Sequence, residues 1–289
     1  MSVKRPDFLA IGHITRDLHE GRAVAGGSAL YSAVTSKRLG KSTAVVTASS
    51  DEFESLEALT GIDTVYTESD DTTTFINTYA EGGRRSQVVK ETASPLEASR
   101  IPLPWLAATI IHVCPVVHEV ERACLEALAS PLVGVSPQGW LRSWDASGRV
   151  TDTRWPEETK GPALGAARIL FFSDEEFALN RDDLDCYLQS VEIVAVTKGD
   201  RGARIYQGRD MFEVPAVPVR EVDPTGAGDV FATAFLIRFE ETGDAYHAAC
   251  FACSTASYAV EREGIDGIPD RSQVEARLRE MTSWRERAG

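Results

Sequence analysis

The chain has 289 residues, of which 43% are hydrophobic and 26% charged, with a formal net charge of −14. That balance is one of a globular protein with a large core; it excludes a disordered chain and works against any general affinity for nucleic-acid phosphates. No segment approaches an uninterrupted membrane span, no signal-peptide anatomy opens the chain, and the five cysteines have no regular spacing, so we expect reduced thiols in the cytoplasm and no membrane partner.

The apolar run 7–13 predicts a buried strand, 27–39 a helix and 43–48 a second strand, a βαβ opening. Just past the first strand stands Gly12-His13-Ile14-Thr15-Arg16-Asp17, and Gly26-Gly27-Ser28 opens the helix. A carboxylate at Asp17 can accept from two neighbouring hydroxyls, and a Gly-Gly turn lets a flat polar ligand approach the backbone; a solvated loop cap explains Asp17 as readily. Residues 72–80 and 86–91 alternate polar and apolar around Glu81-Gly82-Gly83-Arg84, which predicts a half-exposed hairpin, either a lid over the carboxyl edge of the sheet or a plain solvated edge.

The alternation then resumes with a strand at 109–114, a helix at 119–129 and strands at 132–136, 168–172 and 192–197, apolar enough on both faces to belong in a parallel sheet covered by helices. Gln138 and Arg142 follow one strand end, where they suit hydroxyls and a phosphate or simply belong to a Trp-anchored loop. Ser173-Asp174-Glu175-Glu176 follows the next and has the spacing of a capping box. Thr197, Gly199 and Gly202 lie in a glycine turn after the strand at 192–197. The last third predicts helices at 229–241, 244–262 and 270–286; Cys250 and Cys253 read as packing within the second of these.

Asp223-Pro224-Thr225-Gly226-Ala227-Gly228-Asp229 carries the most chemistry. Small residues at a helix start leave N–H groups pointing outward, an anion site that side chains do not block. A carboxylate beside it repels the anion it frames, which suggests that Asp229 accepts a proton from a nucleophile aimed at phosphorus. Helix-start and turn duties alone are the simpler alternative.

This segment resembles the Asp-Thr-x-Gly-Ala-Gly-Asp signature of the ribokinase-like (PfkB) carbohydrate kinases, with Pro224 replacing Thr, and the earlier pieces fall in the family's order. The resemblance covers roughly 7–270. It implies one α/β domain over 1–289, with a mainly parallel central sheet between helical layers and a β lid from about 12–24 and 70–92. It implies ATP-dependent transfer of the γ-phosphoryl group to a hydroxyl of a small sugar or polyol. Asp229 would be the base and Gly226, Ala227 and Gly228 the anion hole. Asp17, Gly26, Gly27, Ser28, Tyr31, Gln138 and Arg142 would meet the acceptor, Thr197, Gly199, Gly202 and Thr225 the nucleotide. Glu176 would organise Mg²⁺, with Ser173 where the family has Asn; potassium is a further optional cofactor, and the lid a possible pairing surface for a homodimer. Tyr31 stands where ribose kinases place an Asn, which favours an inositol or nucleoside acceptor, with plain core packing an equal alternative, and the opening is similar to the inositol kinases. The rival from another class is a regulatory module that keeps the fold and binds nucleotide or sugar without turnover. Gly40-Lys41-Ser42 lacks the first glycine of a P-loop, and no G-x-G-x-x-G, G-x-S-x-G or metal-spaced histidines are present.

Overall fold

The computed structural model describes residues 3–19, 22–50, 56–79 and 85–288. In chain order the elements are β1 (Phe8–Ile11), β2 (Thr15–His19), β3 (Arg22–Gly26), α1 (Ser28–Arg38), β4 (Thr43–Ser49), β5 (Asp63–Glu68), β6 (Thr74–Tyr79), β7 (Arg85–Glu91) and β8 (Ile110–Val113). Then follow α2 (Arg122–Glu126), β9 (Leu132–Val135), β10 (Arg142–Trp144), β11 (Val150–Asp152), α3 (Glu157–Ala166), β12 (Ile169–Ser173), α4 (Asp174–Asn180), α5 (Leu184–Ser190) and β13 (Ile193–Thr197). The chain closes with β14 (Ala203–Gln207), β15 (Asp210–Val214), α6 (Ala227–Thr242), α7 (Ala245–Ala259) and α8 (Arg271–Ala288).

A 9-stranded sheet runs β15-β14-β13-β12-β9-β8-β1-β4-β5. Pairing is parallel from β5 through β13, and only the β13–β14 and β14–β15 ladders are antiparallel. Its strands are apolar on both faces because each face is covered. Phe8 and Ala10 pack with residues of α1, α6 and α7 on one side, whereas Leu9 and Ile11 pack with Cys124, Ala163, Phe177 and Tyr187 of α2 to α5 on the other. The two-residue period of a strand thus divides one run between two cores.

A separate 4-stranded sheet, β3-β2-β6-β7, stands off this body, and a 2-stranded hairpin of β10 and β11 leans on it through a bridge from Val88 to Arg149. Phe75 and Val89 seat the small sheet on Val116 and Val117. The hairpin connection at 81–84 and the β2–β3 turn at 20–21 lie outside the described residues.

Three readings change. The helix expected over 119–129 is only Arg122–Glu126. Glu119 is turned inward instead, accepting from the backbone N–H groups of His13, Val116 and Val117, so its segment leaves helical geometry. The helices at α3, α4 and α5 had no clean period, and α3 carries Pro162 inside it. The hairpin of β10 and β11, the edge strand β5 and the antiparallel edge of β14 and β15 also went unread, because short strands alternate too briefly to register.

Candidate active site

A cleft of about 960 Å³ opens where the carboxyl ends of the parallel strands meet the underside of the small sheet and the start of α6. In open α/β sheets this edge gathers ligand-binding loops. Of the residues to which the resemblance gives a catalytic, acceptor, nucleotide or metal role, all but Gly26 line it. Gly26 stands directly behind: a Cβ there would come within 2.6 Å of the Asp17 carboxylate, so its smallness makes room for that side chain.

The turn before α6 is built by local hydrogen bonding. Asp223 Oδ1 accepts from Thr225 N–H at 2.9 Å and its Oδ2 from Gly264 N–H at 3.0 Å, which ties the loop to the segment after α7. Gly226 then caps α6 in the left-handed region at φ 75°. The first internal bond of that helix runs from Val230 N–H to Gly226 O at 2.9 Å, while Ala227 N–H closes the turn onto Pro224 O at 3.2 Å, and residues 226–229 line the cleft. Asp229 sits in that first turn, partly exposed to the cleft.

Gly226 also accommodates Tyr31. The Tyr31 ring lies where a Cβ on Gly226 would project, and the side chain is only 3% exposed. Its ring supports the turn before α6, the packing alternative for this residue, while Tyr31 also lines the cleft. The start of α1 brings it there: Gly27, at φ 90°, accepts from the N–H groups of both Leu30 and Tyr31 and packs against His13 O.

Thr15 Oγ1 donates to Asp17 Oδ1 at 3.0 Å, and Ser28 and Gln138 also line the cleft. Arg142 is 8% exposed; its Nη1 donates to Val116 O at 3.2 Å and its guanidinium lies 5.6 Å from the centroid of the Phe75 ring. Glu176 closes the capping box: Ser173 N–H donates to its Oε2 at 2.8 Å, while Glu176 N–H donates to Ser173 Oγ at 3.2 Å. Burial pushes the Glu176 carboxyl above its ordinary range, opposed by the Ser173 N–H, the Arg142 charge and a hydrogen bond from Gln138. Serine thus does the capping that an asparagine at 173 would do. Among the described residues no cluster of three or more His, Cys, Asp or Glu is placed to cage a metal ion.

On the far side, Thr197 Oγ1 donates to Phe172 O at 3.3 Å, and Thr197, Gly199, Gly202 and Thr225 share the wall with Lys198 and Arg201. Lys198 pairs with Glu213 at 2.9 Å and Arg201 with Asp174 at 2.6 Å. The apolar remainder comes from 216–219 and from Ala256 and Val260.

Several lining residues carried no sequence motif: Phe75, Gln87, Val116 and Ser136. The alternation of the hairpin was the available signal for the first two, since residues 75 and 77 must share a face, as must 87 and 89. Beneath the floor, His112 bridges Ser32 Oγ at 2.9 Å and Ser136 Oγ at 2.8 Å, and burial holds its pKa down to about 3. Burial, reinforced by the negative charge of Asp229, raises the Cys114 thiol. No helix among the described residues is long and apolar enough to cross a membrane.

The pfkB family carbohydrate kinase profile matches residues 12–271. A nucleoside kinase of Methanothermobacter thermautotrophicus is 25% identical over 94% of this chain and 95% of its own. A nucleoside kinase of Methanocaldococcus jannaschii is 34% identical over a stretch spanning 38% of each chain. In structure, a pyrophosphate-dependent kinase of the ribokinase family, complexed with a pyrophosphate analog and myo-inositol, superposes with a TM-score of 0.77 over 93% of this chain and 99% of that one, at 22% identity, a likeness of fold.

Proposed function

The chain belongs to the pfkB family of carbohydrate kinases, and from that premise we infer that it transfers the γ-phosphoryl group of ATP to a hydroxyl of a small sugar, polyol or nucleoside. The observation that carries this reading is the juxtaposition of the Gly226–Ala227–Gly228 turn and Asp229 at the wall of one open cleft.

The N–H groups of Gly226 and Gly228 would meet negative charge on the transferring phosphoryl group, with Ala227 N–H joining them on release from Pro224 O, a contribution of about 3 kcal/mol for one such donor. Asp229 takes the proton of the attacking hydroxyl. Because phosphoryl transfer is loose, the carboxylate acts mainly by aligning that hydroxyl and receiving its proton late. Asp17, held by Thr15, fixes other hydroxyls of the acceptor. The small sheet acts as a lid that keeps water from the transferred group. Residues 216–219 with Ala256 and Val260 give the donor side an apolar wall suited to a nucleobase, which supports ATP over a bare pyrophosphate donor.

Magnesium bound to the donor phosphates supplies charge neutralisation. Glu176 fits such an ion through water: it presents one carboxylate at the cleft wall, with Oε2 already engaged by Ser173 N–H. We place the protein in the cytoplasm on its irregularly spaced cysteines.

The test is ADP release with ATP, Mg²⁺ and K⁺ over inositols, ribose, fructose, hexose derivatives and nucleosides, comparing the parent with Asp229→Asn. Turnover of an acceptor that falls about 10²–10⁴-fold in the variant, while ATP still binds, supports the assignment. ATP binding without turnover of any acceptor by the parent makes it a regulatory module instead.

A further inference from the structure

The chain passes between the body and the small sheet at residues 12–14 into β2, at 26–27 out of β3, at 72–73 into β6 and at 92–94 out of β7. His13, fully buried, stands where these crossings meet. Its Nδ1 lies 2.8 Å from Thr73 Oγ1 and its Nε2 3.0 Å from Ser94 O. Ala93 N–H reaches the same Thr73 Oγ1 at 2.9 Å. A Cβ on Gly27 would strike the His13 carbonyl oxygen, so the bare glycine lets the crossing out of β3 pass directly against it.

The direction of each bond follows from its chemistry. A carbonyl oxygen only accepts, so His13 Nε2 carries the proton and Nδ1 accepts from the Thr73 hydroxyl, which itself accepts from Ala93 N–H. The body grips this node from outside: His13 N–H donates to Glu119 Oε1 at 2.9 Å, and Ile14 N–H donates to Thr47 Oγ1 of β4 at 2.8 Å. Glu119 also holds the N–H groups of Val116 and Val117, the residues on which Phe75 and Val89 seat the small sheet. An apolar side chain at 13 would fill the same space, but it would not fix the crossings relative to one another.

The small sheet contributes Asp17, Phe75 and Gln87 to the cleft, whereas the wall assigned to the donor, at 197–202 and 216–219 with Ala256 and Val260, belongs to the body. A turn of the small sheet about its root would therefore displace the acceptor's contacts and leave the donor's in place. Resting on the kinase reading above, we propose that His13 is a positioning residue that sets the pose of the small sheet over the cleft. Through that pose it places Asp17 against the acceptor and keeps water from the transferred phosphoryl group. His13 itself does not line the cleft and acts only through the crossings that it joins.

The experiment uses the full chain. Thr73→Val keeps the shape of the side chain and removes the hydroxyl from the node, Thr73→Ser keeps the hydroxyl, and His13→Asn shortens the pin. Thermal midpoints check the fold, and Thr73→Val carries the test by itself if His13→Asn does not fold. KM is measured for ATP and for the acceptor that the parent prefers, and ADP and phosphorylated acceptor are both quantified. Thr73→Val and His13→Asn should raise the acceptor KM about tenfold, leave the KM for ATP unchanged and release more ADP than phosphorylated acceptor, while Thr73→Ser stays near the parent. A lower midpoint with the acceptor KM and the ADP-to-product ratio unchanged marks a merely structural role and overturns the proposal. An equal rise in both KM values overturns it too. The parent's own turnover tests the kinase reading separately: if it phosphorylates no acceptor, that reading fails and the proposal falls with it.

Discussion

The contact between Tyr31 and Gly226 gives the sharpest prediction, because an alanine at Gly226 should behave unlike one at Gly228. At Gly226 the new Cβ enters the space of the Tyr31 ring, and the backbone sits at φ 75°. The left-handed conformation costs a non-glycine residue about 1–2 kcal/mol. Overpacking against a buried ring adds about 1–3 kcal/mol. The sum, roughly 2–5 kcal/mol, should lower the thermal midpoint by roughly 3–8 °C. At Gly228 no atom lies within 4 Å of the added Cβ, and the position is inside the first turn of α6, where alanine is favoured over glycine by about 0.5–1 kcal/mol. Gly228→Ala should therefore leave the midpoint equal or slightly higher. Its methyl would nevertheless enter the open space beside the proposed phosphate site, so kcat should fall by about 10²–10³, as for loss of one charge-stabilising donor. Differential scanning fluorimetry and steady-state ADP release separate the two effects. An unchanged midpoint in Gly226→Ala refutes the packing argument, and an unchanged kcat/KM in Gly228→Ala refutes the placement of the phosphate.

Asp223→Ala removes the acceptor for both Thr225 N–H and Gly264 N–H; we expect a loss of about 1–3 kcal/mol in urea unfolding together with a lower kcat from the displaced turn. Ser173→Ala breaks the capping box and should cost about 1 kcal/mol, whereas Ser173→Asn keeps a capping side chain and should be near neutral in the same assay. Burial lowers the pKa of His112 to about 3 and also lowers that of His13. Their unfolded forms bind protons first, so the stability they protect is complete above the unfolded value near 6.5 and is lost as pH falls toward 3. One such group gives a slope of about 1.4 kcal/mol per pH unit within that window. Glu176, raised by burial, opposes it above its own unfolded value of 4.5. Urea midpoints between pH 7.5 and 5 should thus fall with acidity, and His112→Gln should flatten the dependence; an equal slope in that variant would contradict the assignment.

The α/β class was legible because strands such as Phe8–Ile11 and Ile193–Thr197 are buried on both faces, and burial on both faces writes itself as an unbroken apolar run. The turn before α6 was legible because a helix mouth lined with small residues has few other uses. What stayed hidden depends on pairing between distant segments. Glu119 looks like an ordinary helix-start residue until His13 and the 116–117 amides converge on it. For Tyr31 both a ligand surface and core packing stood open, because nothing in its neighbourhood of the chain announces that Gly226 lies beneath its ring. The bond from Gln87 Nε2 to Asn77 Oδ1 at 2.9 Å, between β7 and β6, requires the register of a hairpin whose connection does not fix it from sequence.

The seating of Tyr31 on Gly226 also restricts how this protein can drift. A side chain at 226 becomes admissible only after position 31 has shrunk, and a smaller residue at 31 leaves a void under the loop unless something at 226 fills it. The two sites should therefore change in concert among descendants, with an intermediate bearing only one of the changes disfavoured, although neither need ever touch a substrate.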